Sequence, residues 1–144
     1  VPRFGSGEEG STMTTREFQT RIDRIPYAKT LGVEILDTDG CFLLPAKKSN
    51  IGNPTLPALH GGAIAGFMEM SAIVHVLAHT GSQKTPKIVD FSIDYVRAGR
   101  FTDTYSRCEM VYLGRKMINV SISAWQEDPA QPIAKARAQF LVKD

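Results

Sequence analysis

The chain has 144 residues, 42% of them hydrophobic and 22% charged, which is typical of one soluble globular domain with a sizeable core. With 17 basic and 15 acidic residues the net charge is +2, which argues against a nucleic-acid surface built on overall charge. The two cysteines, Cys41 and Cys108, form no CxxC pair, so we expect reduced thiols and a cytoplasmic protein. We expect neither a signal peptide nor a membrane-spanning segment.

The first twelve residues, VPRFGSGEEGST, resemble a protease-site remnant followed by a Gly/Ser-rich linker. We therefore assign residues 1–12 to an expression-tag remnant and take Met13 as the natural start. Residues 13–144 are predicted to form a single domain.

Short elements are predicted at the beginning of this domain. The pattern over residues 14–24 is helical, and Pro26 is expected to end that helix. Residues 27–31 would add one further turn. Two short strands are predicted over residues 33–36 and 41–46, because an Asp-Gly pair between them is a strong hairpin signal.

A long apolar helix is predicted over residues 59–81, LHGGAIAGFMEMSAIVHVLAHTG. Its apolar residues lie on every side of the helical wheel, which is typical of a helix inside a protein. Glu69 is the exception, since no Lys or Arg stands three or four residues away to pair with it. A buried Glu without a partner is rare, so this carboxylate is a candidate functional group. Residues 47–58, rich in proline and asparagine, are predicted to form an irregular loop before the helix.

After the helix, four strands are predicted over residues 87–96, 104–113, 117–125 and 133–142. In the first of them, period-two alternation assigns one apolar face to Val89, Phe91, Ile93 and Tyr95. Such alternation is typical of antiparallel sheets with one buried face. One helix and about six strands predict an α+β fold in which an antiparallel sheet curls around the helix. Because one sheet covers only part of an apolar helix, we expect a homo-oligomer, most simply a two-fold dimer.

The segment LHGGAIAGFMEMSA places an acid nine residues after its histidine, and VDFSIDYVRAG, GRKMINV and AKARAQF follow it. In these segments the chain resembles the hotdog-fold acyl-CoA thioesterases, specifically the PaaI-like branch that includes one class of 4-hydroxybenzoyl-CoA thioesterases. The resemblance covers residues 31–142. It implies the hotdog fold, hydrolysis of acyl-CoA to a free acid and coenzyme A, and a homodimer or homotetramer. No metal or redox cofactor is implied, and neither nucleic acid nor membrane is an expected partner.

The resemblance also assigns roles to particular residues. The backbone N–H of Gly61 would hold the thioester carbonyl, and Glu69 would act as base or nucleophile. Asn53, or its rival Asn50, would hold the water or the substrate. His60 is a further candidate, expected to hold the loop by hydrogen bonds rather than to act as general base.

The chemistry agrees with these roles. Thioester hydrolysis passes through an oxyanion, and the first N–H groups of a helix are unpaired and lie at the positive end of its dipole. Gly61 and Gly62 leave no side chain in the way of a carbonyl group. Gly61 and Glu69 are eight residues apart, about 12 Å along one helix, so Glu69 cannot reach a carbonyl held at Gly61 of its own chain. Two antiparallel helices, crossing near Ala65 and Gly66, would bring them together in two shared sites per dimer.

Cations are expected near the site for the phosphates of coenzyme A. The candidates are Arg97, Arg100, Arg115 and Lys116. The paired His75 and His79 lack a third ligand, so we predict no metal site. Two alternatives stay open: a non-catalytic acyl-CoA-binding hotdog protein, and a hotdog dehydratase or hydratase.

Overall fold

The structure, a computed structural model, describes residues 15–37, 40–46, 61–80 and 86–141. Its elements are α1 (Thr15–Asp23), α2 (Pro26–Leu31), β1 (Glu34–Ile35), β2 (Cys41–Leu44), α3 (Gly61–Thr80), β3 (Lys87–Tyr95), β4 (Thr104–Leu113), β5 (Met117–Trp125) and β6 (Ala134–Leu141). Each lies within two residues of its predicted bounds. Pro26 not only follows α1 but also begins α2, where its fixed φ suits the first helical position.

The six strands form one antiparallel sheet in the order β1-β2-β4-β5-β6-β3. The predicted α+β architecture is therefore confirmed. Strand β3 pairs with β6 along one edge, and no described strand pairs with its other edge. A nine-residue edge strand exposes a row of backbone N–H and C=O groups.

Helix α3 packs across the inner face of the sheet against β5, β4, β6 and β2. The largest fully buried side chains include Phe42, Phe67, Met68, Ile122 and Phe140. Burying one such side chain contributes about 1.5–3 kcal/mol, so this contact is the main source of stability. By length and composition α3 could cross a membrane, but 67% of its most apolar window is buried inside the domain.

One buried hydrogen bond joins α3 to the sheet. The Ser71 hydroxyl donates to the Phe67 carbonyl oxygen at 2.8 Å, and its oxygen lies 2.8 Å from the Ser106 hydroxyl of β4. Both serines are 0% exposed, so neither hydroxyl has water as an alternative partner. The pair therefore satisfies two polar groups that would otherwise cost stability in the core.

One predicted face assignment is wrong. The pairing of β3 with β6 shifts between Ile88 and Asp90, so Val89 is the extra residue of a β-bulge. A bulge moves the residues before it to the opposite face of the sheet. Val89 is 46% exposed, and Ile88 packs against the core in its place. Tyr95 lies on the same face as Phe91 and Ile93, as predicted, but it ends the strand and is 52% exposed.

A close contact fixes the hairpin that connects β1 to β2. Gly40 has a φ of +92°, and a Cβ atom built there would lie 2.9 Å from the Nδ1 atom of His75 on α3. Only glycine combines that backbone conformation with that distance. Gly40 thus lies directly against the second half of the helix.

Candidate active site

The first half of α3 has one uncovered face. Gly61 and Gly62 are exposed, while Ala65 and Glu69 are half-buried. At 100° per residue these four positions lie within an arc of about 100°. We call them the open face of α3. Further along, Ala72 and Val76 occupy the same arc and are 0% and 1% exposed, so this face is covered only in the second half of the helix.

Glu69 lies on the open face, two turns after the start of the helix. Within the described ranges it makes neither a hydrogen bond nor an ion pair. Its neighbours Met68 and Met70 are buried. The carboxylate therefore leaves the core at the open face, where a second molecule or a substrate can reach it, and no described residue compensates its charge.

A cavity of about 360 Å³ lies at the start of α3. It is lined by Gly61, Ile64, Tyr95, Val96, Arg97, Ala98 and Gly99. The first N–H groups of a helix carry its positive partial charge, so the Gly61 end of this cavity favours a developing negative charge. The Tyr95 hydroxyl donates to the Gly61 carbonyl oxygen at 2.8 Å. The end of β3 is thereby attached to the first turn of the helix.

The cations predicted to bind substrate divide into two groups. Arg97 lines the cavity, and its Nη1 atom donates to the Pro132 carbonyl oxygen at 2.6 Å. Arg100 follows shortly after, and Gln126 binds both its backbone N–H and its carbonyl oxygen, at 3.1 and 2.9 Å. Both arginines are exposed, and of the two only Arg97 lines the cavity, where a guanidinium group can meet an anion.

Arg115 and Lys116 lie elsewhere. They form the turn that precedes β5. Strand β5 is nine residues long and ends at Trp125, near the Gly61 end of the sheet. That strand is about 26 Å long. Within one chain these two cations are therefore at the opposite end from Gly61, and only those of another subunit could join its site.

The remaining titratable groups argue against other chemistries. Burial raises the pKa of both the Cys41 and the Cys108 thiols, so neither is ionised as a nucleophile at neutral pH. Burial also lowers the pKa of His75 to about 4, with the charge of His79 as a smaller cause. Among the described residues no group of three or more His, Cys, Asp or Glu side chains could hold a metal ion.

Three predicted site residues, Asn53, His60 and the alternative Asn50, lie outside the described residues. One residue that lines the cavity and one that holds the backbone after it were missed from the sequence. Tyr95 was assigned only to an apolar face, although its position directly before Val96-Arg97 at the end of a strand indicated a place near the sheet edge. Gln126, which holds the Arg100 backbone, carried no local signal.

The comparisons with known proteins agree with this architecture. The model of the thioesterase superfamily matches residues 56–133. A solved structure from Chromobacterium violaceum shares 38% identity and has a TM-score of 0.73, with 90% of this chain and 91% of that chain covered. A comparison with curated protein sequences gave no significant match.

Two more distant structures share the fold. A thioesterase from Haemophilus influenzae is 19% identical with a TM-score of 0.81, and the match covers 92% of each chain. A phenylacetic acid degradation-related protein from Ralstonia eutropha is 20% identical with a TM-score of 0.70, covering 87% of this chain and 99% of that one. The antiparallel sheet around a single long helix is thus the hotdog fold that the sequence predicts.

Proposed function

Because the chain belongs to the thioesterase superfamily, we propose that it hydrolyses acyl-CoA thioesters at a site shared by two subunits, as a PaaI-like enzyme. The observation that carries this proposal is the open face of α3. It presents the positive end of a helix at Gly61 and, two turns later, a carboxylate with no described partner at Glu69. An oxyanion donor and a base are the two groups that thioester hydrolysis needs.

The two groups act in different subunits. On one helix they are about 12 Å apart, which exceeds the reach of a Glu side chain. Two antiparallel copies of the open face, meeting at Ala65, would bring Glu69 of each chain opposite Gly61 of the other. The edge of β3, with which no described strand pairs, supports this arrangement, because Tyr95 at the end of that strand contacts Gly61 at the start of the open face.

In the proposed reaction the thioester carbonyl oxygen accepts a hydrogen bond from the Gly61 N–H. Glu69 of the other subunit either takes a proton from a water that attacks the carbonyl carbon, or adds to that carbon to form an anhydride that water then cleaves. Both routes break the carbon–sulfur bond and release coenzyme A as a thiol and the acyl group as an acid. Asn53 or Asn50 would hold the water, with His60 supporting the loop.

The substrate's phosphates would lie near the mouth of the cavity. Arg97 lines the cavity and Arg100 is exposed three residues later, and a guanidinium group can bind a phosphate in bidentate fashion. Gly62 leaves space for the thioester beside Gly61. A contribution from Arg115 and Lys116 would come from a neighbouring subunit.

The direct test is a panel of short, long and aromatic acyl-CoAs with a thiol reagent that detects released coenzyme A. Glu69→Gln removes the base and should lower kcat by a factor of about 10²–10⁴. Glu34→Gln, on the exposed edge strand β1, is the matched control and should keep wild-type activity. Binding of acyl-CoA without release of thiol would instead support a non-catalytic acyl-CoA-binding protein. Conversion of enoyl or 3-hydroxyacyl thioesters would support a dehydratase or hydratase.

The shared site has its own test. Gly61→Pro removes the N–H at a helix position where proline is well tolerated, and Gly61→Ala keeps it. A Cβ atom there would lie 3.5 Å from the Tyr95 hydroxyl, an ordinary contact, so we expect Gly61→Pro to lose at least about tenfold more activity than Gly61→Ala. A heterodimer of Glu69→Gln and Gly61→Pro chains should recover one working site in two. Confirmed heterodimers without any recovered activity would exclude a site built from both chains.

A further inference from the structure

Tyr95 makes a contact that the proposed roles do not use. It is the last residue of the edge strand β3 and is 52% exposed, yet its hydroxyl donates to the Gly61 carbonyl oxygen at 2.8 Å. The ring also lies beside the same residue, since a Cβ atom on Gly61 would be 3.6 Å from its Cζ atom. An exposed tyrosine hydroxyl normally bonds to water. Here it binds the turn that would hold the oxyanion.

The first turn of α3 needs such a contact. Gly61 and Gly62 are consecutive glycines, and glycine has no side chain to restrict its backbone angles. The first N–H groups of a helix also lack intrahelical partners, so no hydrogen bond of the helix itself holds them in place. An oxyanion donor is effective only when it is held at the position of the developing charge before the reaction. A bond from outside the helix supplies that restraint.

The hydrogen bond from Tyr95 to the Gly61 carbonyl oxygen restrains the first turn of α3 through the geometry of the peptide group. A carbonyl oxygen has two lone pairs, so it can accept from Tyr95 and from the helix together. The peptide group is planar, so fixing this C=O bond fixes the plane on one side of the Gly61 Cα atom. The donating N–H of Gly61 is on the other side of that atom. Gly61 is the first residue of α3, so its backbone angles are those of the helix, and a restraint on the plane after its Cα atom also restrains the plane before it.

We infer that Tyr95 is a positioning residue, which aims the Gly61 N–H at the thioester carbonyl without itself touching the reacting atoms. This inference rests on the thioesterase activity proposed above. Complete loss of an oxyanion donor lowers kcat by about 10²–10³. Misdirection of a donor that is still present costs less, so Tyr95→Phe should lower kcat about tenfold and change KM by less than about twofold.

The matched control is Tyr105→Phe. Tyr105 stacks on Trp125 with ring centroids 6.1 Å apart, and its strand position is on the outer face of the sheet, opposite the face that packs against α3. Both variants remove one tyrosine hydroxyl, so a general effect on folding would appear in both. Tyr105→Phe should retain the wild-type kcat and KM. Thermal unfolding and oligomeric state are compared for both.

A double-mutant cycle separates positioning from a structural role. If Tyr95 acts through the Gly61 N–H, then Tyr95→Phe should have no further effect on kcat in a Gly61→Pro background. An equal loss in both backgrounds would overturn the inference. Where the Gly61→Pro enzyme is too slow to measure, the acyl-CoA panel decides instead. The oxyanion is common to all substrates, so Tyr95→Phe should lower kcat by the same factor for every acyl group. A loss of kcat that varies with acyl length would overturn the inference.

Failure of the proposed function gives a different result. If the wild-type protein hydrolyses no acyl-CoA, both the proposed thioesterase activity and the role of Tyr95 are excluded. If the wild-type protein is active and Tyr95→Phe is as active as Tyr105→Phe, then only the role of Tyr95 is excluded.

Discussion

Acidification should destabilise this protein through His75. The imidazole is 1% exposed on the inner side of α3, against the turn at Gly40. Burial, and to a smaller extent the charge of the nearby His79, lowers its pKa from 6.5 to about 4. The unfolded chain therefore binds a proton at a higher pH than the folded protein does. The free energy of unfolding should fall as the pH drops from about 6.5 towards 4 and stay level above about 7.

The size of this effect follows from the two pKa values. One unit of pKa difference corresponds to about 1.4 kcal/mol, and the difference is realised progressively below the unfolded value. Between pH 7 and 5 the folded protein should lose about 2 kcal/mol, and by pH 4 about 3 kcal/mol. For a domain whose total stability is about 5–15 kcal/mol, that is a large fraction.

The assay is urea unfolding at several pH values between 7 and 4. His75→Leu removes the titrating group at a similar volume, and His79→Gln is the control at a half-buried position. Because other carboxylates also titrate in this range, the relevant quantity is the difference in pH dependence between wild type and His75→Leu. We expect that difference to be about 2 kcal/mol between pH 7 and 5. If the free energy of unfolding changes with pH in the same way for wild type and His75→Leu, His75 does not cause the loss of stability in acid.

Further predictions concern backbone, interface and thiols. Gly40→Ala should lower the free energy of unfolding by about 2–4 kcal/mol in thermal or urea unfolding, because a Cβ atom there would lie 2.9 Å from an imidazole atom. Gly32→Ala is the control, with a similar φ of +84° and nothing within 4 Å, and it should cost about 1–2 kcal/mol. Equal costs for the two variants would contradict a contribution from the contact with His75. Ala65→Leu, on the open face of α3, should weaken the dimer in analytical ultracentrifugation, whereas Ala130→Leu in an exposed turn should not. Cys108 should react with a thiol reagent only on unfolding, and rapid labelling of the native protein would contradict its burial.

The fold was largely predictable because its signals are local. Alternating strands and an apolar helix have periods of two and 3.6 residues, and these identified β4 and β5 to the residue. The glycines at the start of α3 were likewise visible from their place before the apolar run. Each of these features depends only on residues close together in the chain.

What could not be predicted depends on distant residues. Val89 was placed on the wrong face because a bulge inserts one residue without changing the composition of the strand. The bond from Tyr95 to Gly61 joins residues 34 positions apart, and no spacing rule indicates it. The separation of Arg115 from Gly61 follows from strand order, which alternation alone does not determine. The geometry of the site therefore required the three-dimensional structure.

The buried pair of Ser71 and Ser106 has a consequence for the helix as a whole. Contacts between aliphatic side chains tolerate sliding of a helix along a sheet, because one methyl group can replace another, whereas a short hydrogen bond in a dry interior has a single geometry. One polar position can set the register of packed elements at some cost in stability. These two hydroxyls therefore favour one position of α3 along the sheet, and they act ten residues away from its first glycine.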